Sequence, residues 1–146
     1  MNRMVVLALL LFSCNGGGIK PAEIFPEDAC ANCRMAVSDR RFASEIIDDG
    51  NEAFKFDDIG CMMKFRSKHS GMNVTATFLT DFDTKEWIPN DRAVIIETDV
   101  ETPMGSGKLA FSDSARAGEF QRQHLPDQTV SARDEEGMGR RAGVND

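Results

Sequence analysis

Phe54-Lys55-Phe56-Asp57-Asp58 and Leu109-Ala110-Phe111-Ser112-Asp113 are the two stretches on which the fold turns. Each is a short run of apolar and β-prone residues that ends in residues suited to a helix N-cap. Behind each lies a helical pattern, through Phe65 to His69 in one case and through Phe120 to His124 in the other. Phe56/Phe111, Asp58/Asp113, Phe65/Phe120 and His69/His124 all share one offset of 55 residues. The spacing predicts caps at Asp57 and Ser112, with the helices ended by Ser70-Gly71 and by Leu125-Pro126. Ile59, Met62, Met63 and the pair Cys61/Phe65 form one apolar helical face, so Cys61, Met62 and Met63 are expected to be packed residues.

Strands flank both helices. Phe42 to Ile47 and Glu52 to Phe56 bracket the turn Asp48-Asp49-Gly50. Val74 to Leu79 follows the first helix. Arg92 to Thr98 and Lys108 to Phe111 precede the second, and Thr129 to Ala132 follows it. Each half reads as strand-strand-helix-strand, an α+β arrangement of helices on small antiparallel or mixed sheets.

The chain has 146 residues, enough for one domain or two small ones at roughly 100–200 residues each. Its net charge of −7 and lack of a basic run make it a poor candidate for nucleic acid, whose binding rests on neutralising phosphates. At the N-terminus, Arg3 precedes nine unbroken apolar residues, Met4 to Phe12. That is too short for a bilayer span of about 20 residues and fits the apolar region of a secretory signal. Leu11-Phe12-Ser13-Cys14 then resembles the bacterial lipobox, in which the Cys is acylated after cleavage before it. Gly16-Gly17-Gly18 suits a tether. The expected organisation is a lipoprotein signal peptide over residues 1–13 and an acylated Cys14 with flexible tether over 14–27. A first unit covers 28–82, a second 83–133, and a disordered tail 134–146. The body would be extracytoplasmic, held by its lipid on a membrane facing the periplasm. Asn15, rather than Asp, after Cys14 slightly favours the outer membrane.

The chemistry concentrates in sulfur. Cys30-Ala31-Asn32-Cys33-Arg34-Met35 brings two thiols to a spacing that can hold one metal ion, close one disulfide or act in thiol redox chemistry. Met35 adds a thioether, and Thr102-Pro103-Met104-Gly105 places another on a tight turn. Soft sulfur donors select soft ions, above all Cu(I). A structural zinc site would want four Cys/His ligands, and there is no second Cys-x-x-Cys. His69 and His124 read as helix-end caps, and Asp57-Asp58 as a capping pair.

Four motifs in order are similar to those of the NosL family of copper-binding lipoproteins: Cys30 to Val37, Phe56 to Phe65, Asp81 to Ile88, and Thr102 to Phe111. The resemblance spans about residues 28–132. It implies two related strand-strand-helix-strand units, a fold shared with organomercurial lyase. It also implies a metallochaperone rather than an enzyme, one that binds Cu(I) for the assembly of nitrous oxide reductase. The implied partners are that reductase or the membrane transporter complex of its copper-site assembly. Carried over, Cys33, Met35 and Met104 are the implied metal ligands, joined by Cys30.

Two rivals use the same residues. A thiol-disulfide oxidoreductase would act through Cys30 and Cys33, but would want the attacking thiol at a helix N-terminus, and Met35-Ala36-Val37 leads toward a strand. An organomercurial lyase-like enzyme would need a proton donor beside paired thiols, for which Asp57 or Asp58 is the candidate by type; shared fold does not carry function. The N-terminal reading has a direct consequence. Cys14→Ser should abolish incorporation of labelled fatty acid and release the chain from membranes. Normal membrane retention of that variant would exclude the lipid anchor.

Overall fold

A computed structural model of the chain describes residues 18–125. The expected signal peptide, Cys14, the expected strand Thr129 to Ala132 and the expected tail 134–146 lie outside the described residues.

Strands β1 (Ser44–Asp48) and β2 (Ala53–Phe56) form a hairpin about Asp48-Asp49-Gly50. The Asp48 carboxylate accepts the Glu52 N–H at 2.8 Å, and Asn51 takes a left-handed φ of 62°, so the turn is closed by its own residues. Helix α1 (Ile59–Lys68) follows, then β3 (Val74–Thr80) and β4 (Trp87–Pro89). These strands make one antiparallel sheet in the order β2-β1-β3-β4. A second hairpin, β5 (Val94–Glu97) with β6 (Lys108–Phe111), precedes helix α2 (Ser114–Gln123). The fold class is α+β, as the sequence indicates.

Several boundaries differ from expectation for local reasons. Arg40–Phe42 forms a 3-10 turn rather than the start of β1, because Asp39 accepts the Arg41 N–H at 3.0 Å. Arg92, expected to open β5, instead ends a second 3-10 turn, Asn90–Arg92, after Pro89, and the strand begins at Val94. The short β4 has no expected counterpart; only three residues long, it carries too little pattern to register in sequence. The helix caps are Asp58 and Asp113, one residue later than Asp57 and Ser112. Asp58 is extended and accepts the Gly60 N–H at 2.6 Å, and Asp113 accepts the Arg116 N–H at 2.9 Å.

The 55-residue repeat is a structural one. Phe56 meets Phe65 at 5.2 Å between ring centroids, and Phe111 meets Phe120 at 5.4 Å. His69 stacks on Phe65 and His124 on Phe120, each as its helix's C-cap. Each half therefore repeats one unit: strand, Asp cap, and a helix whose last turn is closed by a Phe/His stack. Around the first lies a core of Ile46, Phe56, Ile59, Met62, Phe65 and Leu79; around the second, Phe42, Ile96, Leu109, Phe111 and Phe120. Asp81 joins the halves. One of its carboxylate oxygens takes the backbone N–H and hydroxyl of Ser112, both at 2.7 Å, and Phe82 N–H donates to Ala110 O.

Asp58 makes the corresponding join on the other side. Its Oδ2 accepts the Thr102 hydroxyl at 2.6 Å and the Met104 N–H at 3.1 Å. The Thr102 hydroxyl oxygen in turn accepts the Ser106 and Gly107 N–H groups. Gly60 permits the approach, since a Cβ there would stand 2.6 Å from Ser106 Cβ. Gly107 is required for a second reason: its φ is +62°, and a Cβ would lie 2.4 Å from the Thr98 carbonyl oxygen. Burial alone would raise the Asp58 carboxyl, but donation from Thr102, Ser106, Met104 and Gly60 outweighs it and holds the group below the ordinary carboxylate range. Its contribution is therefore present above the unfolded-state value and lost as pH falls through the lower folded value. Asp58→Asn should cost about 3 kcal/mol, since it weakens several charge-assisted bonds at once. Denaturant unfolding should show that deficit near neutral pH and a narrowing gap to the parent chain in acid.

Candidate metal centre

Residues 29–36 form a tight hairpin-like loop on the open edge of the four-stranded sheet. Ala29 and Ala36 pair as an antiparallel bridge, Cys30 N–H donates to Met35 O at 2.7 Å, and Arg34 N–H to Cys30 O at 2.9 Å. Arg34 takes a left-handed φ of 68° to close it. The loop is fixed to β2 by Ala31 N–H donating to Lys55 O at 2.8 Å. Lys55 secures the preceding segment: its ammonium binds Glu23 O at 2.6 Å and the Asp28 carboxylate at 2.5 Å. Both thiols of the loop are thereby carried to the end of β2, where the chain turns into α1.

At that junction Cys30, Cys33, Cys61 and Asp57 converge. One ligand atom from each lies within 4.8 Å of all the others. With metal–sulfur bonds of about 2.3 Å, three sulfurs around one ion stand about 4 Å apart, so the group is close to the geometry a bound ion requires. Cys33 Sγ donates to Asp57 Oδ2 at 3.3 Å, and Asn32 Nδ2 donates to Cys61 Sγ at 3.5 Å. Lys68 holds the Asn32 carbonyl oxygen at 3.0 Å, which directs the amide nitrogen onto the sulfur. Asp57 is buried, and its Oδ1 has no hydrogen-bond partner. The three cysteines are free thiols, with Cys30 and Cys61 buried and Cys33 half-buried.

Burial pushes the Cys33 thiol up, and the neighbouring Cys30 thiol and Asp57 carboxylate push the same way against one backbone donor at Met35. Cys61 is pushed up further, again chiefly by burial, with Asn32 opposing and the charges of Cys30, Asp57 and Cys33 adding to it. At neutral pH these two groups are thiols, not thiolates. A metal ion must displace their protons to bind.

Of the residues singled out in sequence, Cys30 and Cys33 lie in this cluster. Met35 and Met104 are 55% and 38% exposed. The Met104 loop is nonetheless close at hand. It hangs on Asp58, while Cys33 is bonded to the adjacent Asp57, so two loops far apart in sequence meet at consecutive residues. His69 and His124 cap their helices and belong to no metal-binding group among the described residues. Two expectations need correction. Cys61 is packed, but its sulfur is part of the cluster rather than only of the core. Met63, expected in the core with Met62, is 48% exposed while Met62 is buried. Asp57 is released from capping by Asp58 and serves the cluster instead. Asp57 and Cys61 lie four residues apart across the start of α1, a spacing that was available in the sequence.

Fold and site together define the class: a small α+β protein with a thiol-rich centre able to hold a metal ion at a sheet edge. The chain belongs to the NosL family, whose model matches residues 21–134. The crystal structure of the copper chaperone NosL from Shewanella denitrificans shares the fold, with a TM-score of 0.63 at 16% identity over 72% of this chain and 87% of that one. None of the curated proteins matches the sequence. No described helix is long and apolar enough to cross a membrane.

Burial and raised thiols set an order of reactivity. Native-state alkylation near neutral pH should label Cys33 first and Cys30 and Cys61 much later, each more slowly than in unfolded chain. Mass mapping of a time course checks this; equal rates for the three would contradict the packed cluster.

Proposed function

We propose that this chain is a Cu(I)-binding metallochaperone, held on a membrane at the periplasmic side by its lipid anchor, that supplies copper for the assembly of nitrous oxide reductase. The reading is of a carrier, not an enzyme. The observation that carries it is the convergence of Cys30, Cys33 and Cys61 within 4.8 Å in a chain of the NosL family. A structure sharing the fold is described as a copper chaperone, which supports copper as the cargo.

Soft thiolate and thioether donors prefer Cu(I) to harder ions. The buried thiols supply holding strength. The half-buried Cys33 lies at the border between them and the exposed thioethers of Met35 and Met104. Such a gradient suits transfer, because an incoming partner ligand can replace the weak outer donors before it meets the strong inner ones. The partner in this reading is nitrous oxide reductase or the membrane transporter complex of its copper-site assembly.

Competition of the reduced chain with a chromophoric Cu(I) chelator should give one copper per chain. Each thiolate formed should add about one decade of affinity per pH unit below its folded pKa, so binding strengthens as pH rises. Cys33→Ser and Cys61→Ser should each cost more than the roughly 10–100-fold loss typical of an outer-shell partner, and Met35→Ala and Met104→Ala less. A reduced, folded chain that took up no Cu(I) would overturn the proposal. Retention of full affinity by Cys61→Ser would remove Cys61 from the site.

A further inference from the structure

The charge beside the thiol cluster is opposite to that of the chain. The whole is acidic, with a net charge of −7. Yet Arg34, Lys64 and Lys68, all exposed, border the cluster. Arg34 follows Cys33 directly in the loop. Lys64 and Lys68 continue the stripe of α1 that begins at Cys61, at spacings of three and four residues. Lys68 is two hydrogen bonds from a cluster sulfur, through Asn32.

None of the three cations pairs with a carboxylate among the described residues, whereas Arg41, Lys55, Lys108 and Arg116 all do. The neighbouring acids are already engaged. Asp28 is paired with Lys55, Asp57 accepts the Cys33 thiol, and Asp58 holds the Met104 loop. Asp57 and Asp58 are buried, so the exposed acids flanking the site in sequence are Glu27, three residues before Cys30, and Glu101, at the base of the Met104 loop, against three exposed cations.

We propose that Arg34, Lys64 and Lys68 form the docking surface for an acidic protein partner, one whose soft copper ligands are set in a negatively charged face. The inference rests on the copper-carrier reading above. An acidic partner is repelled by the net charge of this chain and attracted at this rim, so complementarity orients the encounter as well as speeding it. The orientation it selects brings the partner's ligands against the exposed Met35 and Met104. A protein is favoured over a membrane surface because copper must leave by the same face, and a lipid headgroup layer would cover it.

The test follows Cu(I) transfer from the loaded chain to two probes: a disulfonated phenanthroline chelator, which is anionic, and its uncharged parent. The transfer rate to the anionic chelator should fall as salt rises, by about tenfold or more, while the rate to the uncharged one stays level. Arg34→Gln, Lys64→Gln and Lys68→Gln together should flatten the salt slope, and the three Glu substitutions should reverse it. Thermal unfolding and copper stoichiometry should match the parent chain in the Arg34→Gln/Lys64→Gln pair, which leaves the Lys68–Asn32 bond in place, and that pair by itself should lower the salt slope. A rate to the anionic chelator that rises with salt, as the net charge alone dictates, would overturn the proposal; so would a slope unchanged in the variants. Binding of the parent chain to anionic phospholipid vesicles, lost in the Gln set, would reassign the rim to a membrane and overturn the protein partner. A chain that holds one copper but shows no salt slope fails here alone, whereas one that holds no copper fails in the carrier reading itself.

Discussion

One buried carboxylate organises this molecule. Asp58 must cap α1, because the first N–H groups of a helix have no partner of their own. The same group is the anchor of the 102–107 loop through Thr102 and Met104. A carboxylate in that position is stable only while every one of those donors is in place. The helix start, the loop and the contact between the two halves of the chain are therefore one unit, and Gly60 is the residue whose lack of a side chain lets them close.

The two halves share a plan and differ in what they do with it. Phe56, Phe65 and His69 recur as Phe111, Phe120 and His124, so both helices are fixed to their strands in the same way. At the positions that could carry chemistry the halves diverge. Asp57 corresponds to Ser112 and Cys61 to Arg116. Ser112 is used to bind Asp81 and join the halves, and Arg116 pairs with Asp83 on the surface. The first half thus holds the sulfur, and the second supplies the loop that reaches across to it.

Electrostatics in the site run against easy ionisation. Burial makes the thiols of Cys33 and Cys61 resist losing their protons. A bound cation changes that balance, since it stabilises the thiolates that burial disfavours. The cost of desolvation is then offset by the metal bond. Outside the cluster the rim cations, which have no carboxylate partner among the described residues, act over a longer range, limited by salt screening to roughly 10 Å.

The repeat, the strands about Asp48-Asp49-Gly50, both helices with their histidine ends, and the sulfur-rich loop were all legible in the chain, because each depends on local spacing and turn chemistry. Cys30 and Cys33 could be recognised as a pair for the same reason: two thiols three residues apart meet without help from the rest of the fold. The Phe-Asp-Asp-Ile-Gly-Cys motif was legible only as a helix start. Which aspartate caps, and hence which one is free for the cluster, depends on where Thr102 and Met104 arrive, a contact more than 40 residues away. Cys61 looked like any small apolar residue on a packed helical face, since helical phase says that a side chain points inward but not what it will meet there. Tertiary structure decided that it meets Cys30 and Cys33, because the pairing of Ala31 with Lys55 lays the loop along β2 and delivers both thiols to the first turn of α1.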